Sequence, residues 1–234
     1  MKKQSCIGAS VLPYSIVDGN IFMLLGREKC YKPKGKKSDH QWSDFGGKSE
    51  GETEIDCASR EFEEETMSLV RFFENEVLPR ENVDDLKSRL SDNMYTFKVK
   101  FPVNENGYYV TYITRVPYDP YVPSNFSTLS NAFSIIHSVG KHPAMDININ
   151  HAYLEKTDLR WVSIPNLTIA CESNGTLPLS IYTYKSKLRS HFLYRLRFIL
   201  SLFPESFKYK TNWRIDPKNR HSDFENFNNK YRYK

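Results

Sequence analysis

The chain has 234 residues, 39% hydrophobic and 26% charged, enough apolar material to close a core without disulfide or metal staples. This excludes a fibrous or wholly disordered polymer. Its net charge of +5 is uneven: residues 185–234 hold thirteen bases against four acids, a net of +9, leaving −4 for the rest. An acidic body with a basic end fits a polyanionic partner and a solvated basic surface equally.

The four cysteines are scattered and the six histidines show no metal-ligand spacing, so neither a zinc site nor a disulfide-linked partner is expected. No apolar run approaches about 18 residues, and no membrane span is expected. The start of the chain is a poor signal peptide. These readings place the protein in a reducing compartment, the cytoplasm.

Taken in order, residues 6–14 and 21–26 are apolar and β-prone, and Asp18-Gly19-Asn20 is turn chemistry, so they predict a hairpin. A basic loop follows with Lys29, Lys32, Lys34, Lys36 and Lys37. A short strand from Trp42 to Phe45 runs into Gly46-Gly47-Lys48. The spacing predicts a helix over 53–68 and a charged helical excursion over about 70–92. Residues 94–103 and 107–116 predict a second hairpin about Asn104 to Gly107. The stretch 117–150, rich in Pro, Ser and Asn, reads as a loop with a short helix near 129–138. A strand over 159–164 is punctuated by Pro165-Asn166. The last strong helix lies within 178–203, with Leu188, Phe192, Leu196, Ile199 and Phe203 on one face, a core stripe and not a membrane anchor. The end, 204–234, is basic, aromatic and Asn-rich.

The segment 46–65 carries the chemistry. Residues three and four apart share a helix face, so Glu61, Glu64 and Glu65 are expected to converge, bordering the apolar stripe of Ile55, Ala58 and Phe62. Three such carboxylates repel one another and raise at least one pKa. A divalent cation relieves this, and hard oxygen ligands suit Mg²⁺ or Mn²⁺. The Gly46-Gly47 turn lets backbone approach a metal or phosphate closely. Arg60 is placed one turn before Glu64 and is expected to pair with it.

This spacing resembles the Nudix signature: Gly, then Glu six positions on, then Arg-Glu-U-x-Glu-Glu-x-Gly-U, where U is bulky and aliphatic. Gly46, Glu52, Arg60, Glu61, Glu64 and Glu65 match, and Phe62 takes the first U. The resemblance covers roughly 6–167. It implies an α/β fold, a Nudix-type α/β/α sandwich with a mixed central sheet, over 1–176. Residues 177–234 would then form a basic, helical extension packing on or trailing that domain. It also implies metal ligands at Glu61, Glu64, Glu65 and the Gly46 backbone, with Arg60 orienting. Glu155, six residues before Trp161, corresponds to a downstream glutamate that in the family is a further metal ligand or the general base. Lys48, Gly47 and the loop lysines Lys34, Lys36 and Lys37 would receive phosphates. Met67 stands where the signature has a glycine and Ser68 where it has an aliphatic, so the helix either runs on or turns differently. The loop before Glu52 is one residue shorter than a common form.

The activity implied is metal-dependent hydrolysis of a diphosphate joined to a second group. Bases interleave with aromatics at the end of the chain, and Lys208, Lys210, Arg214, Arg220, Lys230 and Arg232 suit an RNA strand. The leading expectation is therefore hydrolysis of the 5′ cap of mRNA, releasing methylated guanosine diphosphate. This would match the decapping branch that includes members from large DNA viruses. A diphosphoinositol polyphosphate or a nucleoside diphosphate derivative is the competing small substrate. A non-catalytic Nudix-fold module binding RNA is the competing non-enzyme.

Overall fold

The computed structural model describes residues 5–29, 40–72, 83–140, 151–178 and 186–202. Strands β1 (Ser5–Val17) and β2 (Asn20–Glu28) pair antiparallel from Val17↔Asn20 to Tyr14↔Met23. Asp18 and Gly19 take φ of 50° and 75°, the left-handed pair whose twist suits a two-residue hairpin turn. Next come β3 (Trp42–Ser43), β4 (Phe45–Lys48), α1 (Glu54–Thr66) and α2 (Val83–Ser91). The second hairpin is β5 (Thr96–Asn104) and β6 (Gly107–Arg115). Helix α3 (Val122–Gly140), a 3-10 turn (His151–Leu154), β7 (Lys156–Ser163), α4 (Ile164–Glu172) and α5 (Ser190–Ser201) complete the described chain.

The described strands form one seven-stranded sheet of order β3-β2-β1-β6-β5, with β4 also on β1 and β7 also on β2. β1 and β6 run parallel and the other pairs antiparallel, so the sheet is mixed. β1 is long enough to serve two partners along one edge while β6 takes the other. Its residues 8–11 face β4, and 14–17 face β2.

Alternation along the strands makes two cores. Ala9, Val11, Leu24 and Phe45 meet α1, α2 and α3 through Ala58, Phe62, Leu86 and Phe126. Leu12, Tyr14, Met23 and Leu25 meet α4 and α5 through Leu167, Phe192, Leu196 and Ile199 on the opposite side. The result is an α/β sandwich, helices on both faces of a mixed sheet. The stripe on α5 is core: Phe192, Leu196 and Ile199 are all but completely buried, each stabilising by roughly 2 kcal/mol. Phe203 lies outside the described residues. No helix among the described residues is long and apolar enough to cross a membrane.

Two helices depart from the sequence expectation. α3 begins at Val122, seven residues before 129, because Pro123 sits in its first turn, where proline is tolerated, and Val122, Phe126 and Ser130 repeat at four to bury one face. α4 was not expected. Pro165 does not end β7 in a loop; it starts a helix from the N-cap Ser163, which buries Leu167 and Ala170. Of the excursion over 70–92, α2 is described and residues 73–82 lie outside the described residues.

α1 starts on Thr53, whose side chain accepts the Asp56 N–H at 3.3 Å. It ends at Thr66. Met67 turns the chain without glycine, at φ 54°, its N–H meeting the carbonyls of Glu63 and Glu64, and Ser68 follows at φ 54°. Of the two possibilities, the helix turns differently instead of running on. Left-handed angles cost a non-glycine residue about 1–2 kcal/mol, and Ser68 is exposed. Ser68→Gly is therefore expected to raise stability by about 0.5–1 kcal/mol, read from the midpoint of urea unfolding. An unchanged midpoint would mean that the 3.3 Å contact of Ser68 Oγ with Glu63 offsets the strain.

Candidate active site

β4 sets the floor of the site. Gly46 opposes Ser10 and Gly47 opposes Ala9 on β1, and α1 lies across them. Neither glycine needs a positive φ; both are required by space. A β-carbon on Gly46 would lie 2.3 Å from the Ala9 carbonyl oxygen and 2.4 Å from Ser10 Cβ, and one on Gly47 would lie 2.3 Å from Glu61 Oε1. Glu61 rests directly on the bare backbone of Gly47.

Arg60 gathers the outward acids. It meets Glu52 at 2.8 Å, Glu61 at 2.9 Å and Glu64 at 3.5 Å, and donates to the Lys48 carbonyl at 3.3 Å. The expected pairing with Glu64 is thus the longest of three; the fork reaches back to Glu52 because the loop 49–53 folds over α1's first turns. Lys48 itself points to solvent. Arg60 holds the Glu52 carboxyl below the usual range, helped by backbone N–H groups. Glu61 goes the other way: burial raises it, Arg60 only partly counters this, and Glu155 and Glu64 add repulsion.

Glu65 turns inward. It is 4% exposed, accepts the Gly46 N–H at 2.7 Å and meets Lys156 Nζ at 3.1 Å. Lys156, 1% exposed, also reaches Glu28 Oε1 at 2.7 Å, Ser43 Oγ at 3.0 Å and the Asp44 carbonyl at 3.4 Å. Two carboxylates thus share one buried ammonium, and their pKa values separate. Burial pushes Glu65 up to about 8 despite Lys156, with Glu28 adding repulsion. Burial also acts on Glu28, but Lys156, Arg189 and Ser43 outweigh it and hold it below its usual value. Neither Lys156 nor Glu28 was expected from sequence. They meet across 128 residues, with no local spacing to mark them.

The 3-10 turn packs on α1 and leads into Glu155, an exposed residue whose carboxyl end is partly withdrawn from water. Desolvation of its carboxyl, then Glu28 and Glu64, raise its pKa against the pull of Lys156.

Glu61, Glu64, Glu65 and Glu155 are therefore brought to one end of the sheet, with Glu28 beside them. They do not form a ready cage: among the described residues no three His, Cys, Asp or Glu side chains stand poised to hold a metal ion. Two cations of the chain itself divide the three acids expected to converge. Lys156 draws Glu65 inward, and Arg60 draws Glu61 and Glu64 to its fork. Gly46 presents its N–H to Glu65 at 2.7 Å. The donor chemistry nonetheless fits a hard divalent cation, since Glu61 and Glu155 are oxygen donors whose charged forms are disfavoured as they stand.

Lys34, Lys36, Lys37, Lys208, Lys210, Arg214, Arg220, Lys230 and Arg232 lie outside the described residues. Three other bases of the C-terminal count have partners on the fold, and of these Arg189 keeps 41% of its side chain exposed. Arg189 meets Glu28 at 3.3 Å, Arg195 meets Asp44 at 2.6 Å, and Arg197 donates to the Cys171 carbonyl at 2.6 Å.

The Glu65 shift has a signed consequence. Between its ordinary 4.5 and about 8, the folded chain holds a proton that the unfolded chain has lost. Stability therefore falls as pH rises through that window. The metal-free protein should melt lower at pH 8 than at pH 5.5, and Glu65→Gln should flatten the slope. A slope unchanged in the variant would remove Glu65 as its source.

No protein-family model matches the chain. A 73-residue stretch, 30% of the chain, is 40% identical to the uncharacterized protein L534 of Acanthamoeba polyphaga mimivirus, of which it spans only 23%. Among solved structures, the chain is similar to a NUDIX hydrolase from Alicyclobacillus acidocaldarius, at 11% identity, 92% of this chain, 99% of that one and a TM-score of 0.39. It is also similar to an Ap4A hydrolase from C. elegans, at 15% identity, 72% and 85% coverage and a TM-score of 0.32. The NUDIX domain of Shewanella oneidensis NrtR, complexed with ADP ribose, gives 13% identity, 77% and 81% coverage and a TM-score of 0.35. Similarity at this level leaves the chemistry to be argued from the residues themselves.

Proposed function

We propose that this chain is a divalent-metal-dependent hydrolase of a diphosphate linkage, with the 5′ cap of RNA as its substrate. The observation that supports the hydrolase reading most is the seating of Glu61 on Gly47, clamped by Arg60 beside Glu52 and Glu64. Glu52, Arg60, Glu61 and Glu64 are among the residues whose spacing resembles the Nudix signature. A purely structural acidic helix has no use for a carboxylate held half-buried over bare backbone with its pKa raised.

Glu61 and Glu64 would hold the ion, with Glu65 supporting it from beneath. When bound, a divalent ion neutralises phosphate oxygens and lowers the pKa of water. The chain's own part is orientation and proton transfer. Water adds to phosphorus as the bridging P–O bond breaks. Glu155, exposed and raised in pKa, is suited to take the proton from that water, and Arg60 keeps Glu61 and Glu64 aligned. The leaving phosphate departs as an anion.

The choice of RNA rests on the C-terminal sequence. With Arg189, Arg195 and Arg197 removed from the count, ten bases remain against four acids over residues 185–234, interleaved with aromatics. Lys and Arg supply ionic contacts to phosphates, and aromatic rings stack on bases.

Cap-labelled RNA incubated with Mg²⁺ or Mn²⁺ tests this. The wild type should release methylated guanosine diphosphate, and Glu64→Gln should do so at least about a hundredfold more slowly. Cleavage of nucleoside or inositol diphosphates but not of capped RNA would reassign the substrate. RNA binding with no cleavage of any diphosphate would overturn the hydrolase reading in favour of a binding module.

A further inference from the structure

We propose that helix α5 is a positioning element for the acidic site, acting through a buried clamp in which Arg195 holds Asp44 and thereby the corner that carries Gly46. The catalytic consequence of this inference rests on the hydrolase reading; its geometry does not.

Arg195 Nη2 donates to both carboxylate oxygens of Asp44, at 2.6 and 2.9 Å. The side chains are 11% and 4% exposed, and the guanidinium lies 4.2 Å over the ring of Tyr109. Asp44 sits between β3 and β4, two residues before Gly46. Ser10 donates to its Oδ2 at 2.6 Å, and Ser10 is also the residue that opposes Gly46 in the ladder and fills the space where its β-carbon would be. The Asp44 carbonyl accepts from Lys156, which holds Glu65, which in turn accepts the Gly46 N–H. An unbroken line of contacts thus runs from α5, 151 residues away in sequence, to the glycine beneath the acids. A buried ion pair contributes little net stability against apolar packing. Both bonds come from one nitrogen, Nη2, and what fixes the arrangement is the planar guanidinium lying over the Tyr109 ring, a stacking that lysine does not reproduce.

Arg197 provides the matched comparison. It lies on the same helix and donates to the Cys171 carbonyl at 3.1 and 2.6 Å, which ties α5 to α4 and leads nowhere near the acids. The test compares wild type, Arg195→Lys and Arg197→Lys in the full-length chain. The measurements are hydrogen exchange at the Gly46 amide by NMR and Mn²⁺ titration well below the melting temperature. Arg195→Lys should exchange Gly46 at least about tenfold faster and bind Mn²⁺ about tenfold more weakly, while Arg197→Lys lowers the melting temperature and leaves both unchanged. Equal effects of the two variants, or an unchanged Gly46 amide in Arg195→Lys, would overturn the proposal. If Arg195→Lys does not fold, Asp44→Asn, which keeps the shape, carries the same comparison. A wild type that protects Gly46 yet neither binds Mn²⁺ nor hydrolyses any diphosphate would sink the hydrolase reading, and the exchange data alone would then decide the clamp.

Discussion

Gly47→Ala is expected to give a folded protein that turns over about a hundredfold more slowly. The added β-carbon would lie 2.3 Å from Glu61 Oε1, 2.5 Å from its Cδ and 2.6 Å from its Oε2. All three atoms belong to the end of a flexible side chain, so the clash is relieved by swinging the carboxylate away. Stability changes little, but Glu61 leaves the position in which Arg60 holds it. Gly46→Ala provides the contrast. There the β-carbon would meet the Ala9 carbonyl oxygen and the Cα and Cβ of Ser10, none of which can move without shifting β1 against β4. That variant should be destabilised by about 3 kcal/mol. Urea unfolding and steady-state kinetics on both variants separate the two roles. Full activity in Gly47→Ala would show that the seat of Glu61 is incidental.

Lys156→Met is expected to cost about 3–5 kcal/mol, because removing one partner of a buried ionic group leaves the others uncompensated. With a typical domain stability of about 5–15 kcal/mol, that is a large share of the whole. Glu28 would lose the ammonium 2.7 Å from its carboxylate, and Glu65, which keeps its proton up to about pH 8, would lose a hydrogen-bond partner at 3.1 Å. Adding Glu28→Gln and Glu65→Gln to Lys156→Met should recover much of the loss, since a neutral trio has no buried charge to compensate. Equal instability of the single and triple variants would mean that Lys156 contributes by packing alone.

What could be read from sequence, and what could not, divides by the range of the interactions. Both hairpins were legible because their turns are local: Asp18-Gly19 and Asn104 to Gly107 carry their own geometry. Helix α1 was legible from its period, and the Arg60–Glu64 contact lies where the spacing put it, whereas the shorter contact of Arg60 with Glu52 comes from the loop and has no helical spacing to announce it. Proline misled twice. Pro123 and Pro165 read as loop chemistry, but each sits in a first helical turn, and only the buried residues three or four positions apart in each helix show this. Lys156, Glu28 and Asp44 were invisible, because their contacts join residues more than a hundred positions apart. Charge counting also misassigned part of the C-terminal surplus. Arg189, Arg195 and Arg197 look like surface cations in sequence, yet each meets a partner on the fold. Composition reports how many charges a segment has and is silent on which way they face.

The role of the acids can be tested without knowing the substrate. Mn²⁺ titrated into the wild type and into Glu61→Gln, with free ion followed by electron paramagnetic resonance, reads the site itself. The wild type should show saturable, stoichiometric binding, and Glu61→Gln should bind at least about tenfold more weakly. A wild type that leaves all the Mn²⁺ free, or a variant that binds as tightly as the wild type, would contradict a divalent-cation site on these glutamates.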